Sequence, residues 1–453
     1  MNGPTAGPAR QAVADFEQYT LSNGLTVILH QDRSSAVAAL VVMYHVGSKN
    51  EKPGRTGFAH LFEHMMFKGS ANVPDGDHFR LLQEIGAAIN GSTTEDRTNY
   101  FEVVPSHYLE LALYLESDRM GFLLPAMSQA KLDNQRDVVK NERRQNYDNQ
   151  PYGTAQENLS RALYPATHPY HWPVIGSMED LTAASLEDVK EFFRTFYAPG
   201  NACITVAGDF ESAQVKGWVE RYFGPLPRGA EITRPRPAQA VLERDITHVI
   251  EDRVQLPRLF LSYHGAPRGT RQEAILDILT TILSSGKNSR LYRAFVLERQ
   301  LAQKVLAYSD ARELAGIVTI DITATSARPL GEIIRLLDDL LADLLDHGVS
   351  EREIQAAVNS TEVRLVDRLT TGLGKANGLA TAFTLSGDAE SFNREMDRFK
   401  EITPAEVLSV ARDVLGRHRV SLSIVPPGKS SLADVKSHRN ERGDSLQNPA
   451  TIH

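Results

Sequence analysis

The sequence predicts two related α+β domains, each a mostly antiparallel sheet with helices packed on it. Three observations carry this. At 453 residues the chain is too long for one typical domain, and with 42% hydrophobic residues it can bury two cores. Strand-like runs and long helical patterns occur on both sides of a Pro-, Gly- and Arg-rich stretch that spans Gly224 to Ala238 and reads as a linker. The two sides also repeat. Val42-Met43-Tyr44-His45 matches Leu261-Ser262-Tyr263-His264 at an offset of 219 residues (Tyr44 to Tyr263), and the segment from Leu186 matches the one from Pro404 at 218 (Val189 to Val407). The expected organisation is a flexible N-terminus over 1–15, a first domain over 16–225, a linker over 226–244, a second domain over 245–427 and a polar disordered tail over 428–453.

In chain order, Ala36 to Tyr44 is the longest apolar run; it is too short to span a membrane and reads as a buried strand. His60-Leu61-Phe62-Glu63-His64 follows on a helix. Positions i, i+3 and i+4 share one face, so two imidazoles and a carboxylate lie together. Leu61, Phe62, Met65 and Met66 make the other side apolar, and an enclosed helix should not carry two His and a Glu unless they are paired or coordinated. H-x-x-E-H is a zinc-site spelling, and imidazole with carboxylate suits Zn2+. The alternative is a satisfied His pair on an ordinary helix.

Asn90 to Phe101 reads as a hairpin strand. Ser128 caps a helix on which Val138, Val139 and Glu142 share an inward face. A catalytic zinc needs a third protein ligand, and Glu142 is the best candidate. Glu116 and Asp118 are candidates to orient a ligand His. The single cysteine, Cys203, lies in a strand starting at Ala202 and reads as a buried thiol. Past the linker, Ala274 to Leu283 reads as a buried helix, Ser284-Ser-Gly-Lys-Asn288 as a helix start, and Val420 to Val425 as the last strand. Shifted by the repeat offset of 219, His60, Glu63, His64 and Glu142 fall on Leu279, Ile282, Leu283 and Thr361, so the metal set belongs to the first domain alone.

The net charge of −8 comes without any basic, aromatic-interleaved stripe, which argues against nucleic acid. Residues 1–8 lack a positive n-region and an apolar h-region. That leaves two readings open, a cytoplasmic protein or one whose signal peptide has been removed.

H-L-F-E-H at residues 60–64, followed by V-V-K-N-E-R-R with its Glu at 142, resembles the pitrilysin, insulin-degrading enzyme and mitochondrial processing peptidase family of zinc peptidases. Tyr19 to Leu29, Val46 to Glu51, Asn90 to Thr94 and Tyr197 to Asn201 extend the resemblance, which runs over about 15–427 and is closest to the shorter bacterial members. It implies one Zn2+ per chain held by His60, His64 and Glu142, with Glu63 as general base for the attacking water. It also implies an edge strand with Asn90, Gly91, Ser92 and Thr93 docking the substrate peptide, and two domains forming half of a clamshell chamber. Some members carry a Glu where Gln135 stands; the amide can still hydrogen-bond there but cannot ionise.

In single-chain relatives a later domain supplies an Arg and a Tyr to the substrate carbonyl; the matching positions here are Val296 and Gln303. The resemblance therefore implies an endopeptidase of small or unfolded peptides that works as a heterodimer, its partner lacking H-x-x-E-H and carrying the Arg/Tyr pair. A homodimer is the alternative assembly, and a non-catalytic structural or peptide-binding subunit is the alternative function. The resembling bacterial proteins are often exported, so the resemblance also implies a periplasmic protein with its signal peptide removed, the cytoplasm being the alternative.

Overall fold

A computed structural model describes residues 14–325 and 328–433. The first half contains strands β1 (Glu17–Thr20), β2 (Thr26–Gln31), β3 (Val37–Tyr44), β4 (Ala88–Thr93), β5 (Thr98–Pro105) and β6 (Ala202–Gly208). Its helices are α1 (Phe58–Met65), α2 (Asp77–Glu84), α3 (Leu109–Ala126), α4 (Gln129–Arg143), α5 (Ala155–Leu163), α6 (Met178–Ala183), α7 (Leu186–Phe196) and α8 (Ser212–Phe223). The second half contains β7 (Ile246–Glu251), β8 (Arg258–Gly265), β9 (Ala302–Ala311), β10 (Gly316–Ala324) and β11 (Val420–Val425). Helices α9 (Arg271–Ser284), α10 (Leu330–His347), α11 (Glu351–Arg368), α12 (Gly372–Ser386) and α13 (Pro404–Leu415) complete it.

The sheets run β1-β2-β6-β3-β5-β4 and β7-β11-β8-β10-β9. Apart from β1 the two orders are the same, and each contains one parallel pair, β2 with β6 and β7 with β11, among antiparallel neighbours. The weak sequence repeat therefore corresponds to a duplicated α+β topology.

The apolar run of β3 shows why the halves form one body. Leu40, Val42 and Tyr44 point into the core built with α1, α3 and α7. Their neighbours Ala39, Val41 and Met43 point the other way, against Ala376 and Ala380 of α12, a helix from the second half. With both faces covered, the strand has no solvent side and no polar alternation. The exchange is reciprocal: Leu159 and Leu163 of α5, from the first half, pack on Phe260, Leu422 and Ile424 of the second sheet.

Between the halves, residues 227–243 form neither helix nor strand, and Arg234 ties this stretch to Asn201 (2.6 Å). At the N-terminus, Ala14 is buried and its N–H donates to Asn393 (2.9 Å), so the first described residues are anchored rather than flexible. Residues 1–13 of the expected flexible segment lie outside the described residues, as do 434–453 of the expected tail. The described start of that tail is ordered: 430–433 form a helical turn, and Ala433 is buried in the second core. Ser284 ends α9 instead of starting a helix, because Ser285 turns the backbone to extended geometry.

Candidate metal centre

Helix α1 is only eight residues long and starts without a side-chain cap on its N-cap residue. Glu51 supplies the cap from a distance, its two carboxylate oxygens accepting the N–H groups of Ala59 (2.8 Å) and Gly57 (3.0 Å). Gly57 has φ +86°, and a Cβ there would meet the Ile175 carbonyl at 2.7 Å, so only glycine fits the entry to this helix. Ser128 caps α4 as expected, its Oγ accepting the Lys131 N–H. Arg143, at the end of α4, donates to the Gly176 carbonyl (2.6 Å) and pairs with Glu157 (2.9 Å), which fixes α4 beside the 174–176 loop.

These two helices bring His60, His64 and Glu142 together. One ligand atom from each lies within 4.8 Å of the others. The Nε2 of His64 is 3.2 Å from one Glu142 oxygen, and the Nε2 of His60 is 3.7 Å from the other. The expected inward face of α4 holds for Val139 but not for Val138, which is 40% exposed. Adjacent residues on a helix diverge by about 100°, and the side that carries Val139 is the buried one.

Burial, and then the neighbouring His64, push the His60 imidazole down to about 4, so it is neutral near pH 7. The hydrogen bond to His64 is the main cause that holds Glu142 below the ordinary carboxylate range. Burial pushes Glu63 the other way, above its usual value. The Nδ1 of His60 is fully enclosed and has no hydrogen-bond partner among the described residues. A neutral buried imidazole, a second imidazole and an ionised carboxylate converging on one point fit a divalent cation. Two nitrogens and one oxygen match zinc's preference while leaving a coordination position open.

Strand β4 lies at the edge of the first sheet beside this set, as the resemblance implied. A cleft of about 530 Å³ is lined by His60, Glu63, His64, Glu142 and the 90–95 strand end, with Tyr147, Val174 and Ile175 closing it. Strand alternation divides the four expected docking residues between two faces. Thr93 Oγ1 donates to Glu63 Oε2 (2.5 Å), and a Cβ on Gly91 would lie 3.1 Å from Glu63 Oε1, so both face the carboxylate. Ser92 instead bonds Asn99 (2.6 Å), which in turn bonds Asn377 of α12, so its side chain faces away from the metal set. Asn90 accepts the N–H of Gly91 through its own side chain (2.9 Å).

Three expected supporting residues take other partners. Glu116 pairs with Arg119, three residues on along α3, in a buried cluster with Glu102 and His78. The Arg119 guanidinium lies over the Tyr100 ring (4.2 Å) and already supplies the cation there. Asp118 accepts from Ser70 and Asn72. Neither orients a ligand His, because α3 presents both to its own packing contacts. Gln135 is buried and donates to Asn134 (2.6 Å). The ring of His168 is stacked on Tyr164 (4.5 Å), and burial pushes the Cys203 thiol up to about 12, as its expected place in a strand implies.

Two residues that shape the site were not assigned a role from the sequence, although Glu51 ends one of the motifs that carry the resemblance. Glu51 caps from outside the helix it serves. Tyr147 reaches the cleft only because a π-helical turn over 144–148 continues α4, and such turns cluster at functional sites.

Fold and site define a two-domain protein with an H-x-x-E-H metal-type set in one half. Residues 26–171 match the family described as Insulinase (Peptidase family M16), and residues 183–361 match the description Peptidase M16 inactive domain. The chain is 32% identical over 305 residues to the zinc protease PqqE of Helicobacter pylori, covering 66% of this chain and 68% of that protein. It is 24% identical to the uncharacterized zinc protease YmxG of Bacillus subtilis, over 91% of this chain and 99% of the other. A crystal structure of a protease from Helicobacter pylori is similar with a TM-score of 0.84 and 26% identity, covering 91% of this chain and all of that one. This chain belongs to peptidase family M16, the pitrilysin family.

Proposed function

We propose that the chain is a zinc-dependent endopeptidase of small or unfolded peptides whose site is completed by a partner subunit. The observation that carries this reading is the convergence of His60, His64 and Glu142 beside Glu63 at an open sheet edge. Zinc bound to the three ligands would supply a Lewis acid that acidifies water and polarises a carbonyl. The chain's own residues do the rest. Glu63 takes the proton of the attacking water and returns it to the leaving amine, and its raised affinity for protons suits a base working near neutrality. The Thr93 hydroxyl holds one Glu63 oxygen, which aims the other into the cleft. The free edge of β4 offers main-chain groups to an extended peptide, which gives affinity with loose side-chain preference.

The partner reading rests on the second half. Val296 and Gln303 stand where the resemblance places an Arg and a Tyr; Val296 offers no donor and Gln303 only a neutral amide, so the cationic donor is missing. Loss of such donors costs about 3–4 kcal/mol of barrier. The partner would be of similar size, lack H-x-x-E-H and carry that pair. Three measurements test the reading together: zinc per chain by elemental analysis, peptide hydrolysis by wild type and Glu63→Gln, and gel filtration with and without candidate partners. One zinc per chain, turnover that requires a partner, and a zinc-loaded but inactive Glu63→Gln are expected. Absence of zinc after reconstitution would overturn the enzyme reading, and full activity of the pure single chain would overturn the partner.

A further inference from the structure

The tip of the β9–β10 hairpin, residues 312–315, reaches across from the second half and docks behind the turn that joins β4 to β5. That turn, 94–97, directly continues the strand whose Thr93 holds Glu63, and Thr94 and Glu95 themselves line the cleft. The docking is polar and fully wired. The Glu313 carboxylate takes the Lys49 ammonium and the His45 Nε2 (2.6 Å). Lys49, whose side chain has no solvent exposure, also bonds Asp96 in the turn (3.1 Å). The other Asp96 oxygen accepts the Glu313 N–H (2.9 Å), while Tyr170 donates to Asp96 (2.6 Å) and accepts the Leu314 N–H (3.0 Å). Alongside, Arg312 pairs with Glu95 (3.0 Å).

The turn backbone is gripped from its other side by the N–H groups of Ser48 on Thr94 (3.2 Å) and Lys49 on Glu95 (3.0 Å). Gly47 allows this approach, since a Cβ there would lie 2.3 Å from the Thr94 carbonyl oxygen.

An edge strand has one neighbour, so its free rim is the least constrained part of a sheet. β4 is such a strand, yet its last residue has to hold the Glu63 carboxylate in one place. We infer that Glu313 is a positioning residue for the peptidase site: through Lys49 and Asp96 it lets the metal-free half fix the 94–97 turn, and with it Thr93 and the docking rim of β4. This rests on the endopeptidase reading above. The Lys49 ammonium is the joint, because it bridges one carboxylate from each half with no solvent to substitute for either. Burial works against the Glu313 anion, but the His45 and Lys49 bonds hold its carboxyl at about 2, so the joint is charged throughout the neutral range.

The test is Glu313→Gln in the full chain with whatever partner activity requires. Glu353→Gln serves as control: it breaks an ion pair of the same half, with Arg290 (2.7 Å), whose other hydrogen bonds go to Gly348 and Ser350 and not to the turn. A displacement of about 1 Å at a reacting group can cost up to 10²-fold, so kcat on a fluorogenic peptide should fall about tenfold or more in Glu313→Gln, with KM raised and zinc content unchanged. Amide hydrogen exchange should quicken over 88–97 and stay as in wild type over β7, β8 and β11, and the control should change neither. Unchanged kcat, unchanged exchange over 88–97, or loss of zinc along with activity would each overturn the inference. If the wild type hydrolyses no peptide, the endopeptidase reading fails by itself, and the exchange experiment still decides whether Glu313 fixes the turn.

Discussion

The two halves of this chain run the same strand order and put a helix in the same place, but the helices do opposite work. In α1, His60, Glu63 and His64 open onto a cleft; at the equivalent positions of α9, Leu279, Ile282 and Leu283 are buried in the second core. Glu142 of α4 likewise becomes Thr361, buried in α11. The fold does not need the site. The duplicated topology is stable with aliphatic residues there, whereas half-buried imidazoles and carboxylates persist only where something compensates their desolvation. The second half has other duties: α12 covers the outer face of the first sheet, and the β9–β10 tip docks on the turn beside the cleft.

The comparison can be broken most sharply at Glu63. Glu63→Gln is expected to lower kcat by about 10²–10⁴-fold while zinc stays bound, because only the proton acceptor is lost; paired rate and metal assays check both halves of that statement. Next is Leu279→Ala, at the position equivalent to His60. It should cost about 2–5 kcal/mol in denaturant unfolding as a core truncation and leave zinc content untouched. His60→Ala should do the reverse, losing zinc while the metal-free protein keeps its stability. Third, Ala380→Leu crowds the contact of α12 with the first sheet, where Ala380 is fully buried against Ala39, Val41 and Met43. A loss of about 1–3 kcal/mol is expected by thermal or denaturant melting.

The smallest effect concerns Asp277 on α9. Burial, reinforced by the charge of Glu273, raises its carboxyl from 3.8 to about 6. The unfolded chain gives up this proton first, so the contribution to stability is intact below about pH 4 and declines as pH rises toward 6. Asp277→Asn should flatten that decline and stabilise the protein at pH 7 by on the order of 1–2 kcal/mol, read from melts across pH 4–8.

Much of this arrangement was legible in the residues. The i, i+3, i+4 spacing fixed the geometry of the first two imidazoles and Glu63 without any tertiary information, and the Ser128 cap placed Glu142 on a helix. The repeat offset foretold the apolar replacements in α9. Less was legible where a side chain's partner lies far along the chain. Glu116 and Asp118 looked free to orient a histidine, but Arg119, Ser70 and Asn72 claim them. Val138 looked as inward as Val139 because periodicity cannot tell which of two adjacent apolar residues meets the core.

By itself, then, the sequence determined the periodic features: two α+β halves, the buried β3 run, the metal-type helix and its aliphatic counterpart. These follow from spacing along a single element, which local backbone geometry dictates. Tertiary structure decided which partners meet: it brought Glu142, already the best third-ligand candidate in the sequence, onto His64 78 positions earlier, and it alone set Glu51 over the start of α1, the crossing of α5 and α12 onto each other's sheets, and Glu313 behind the 94–97 turn. Contacts of that range are set by how whole faces pack, and no local periodicity in the chain encodes them.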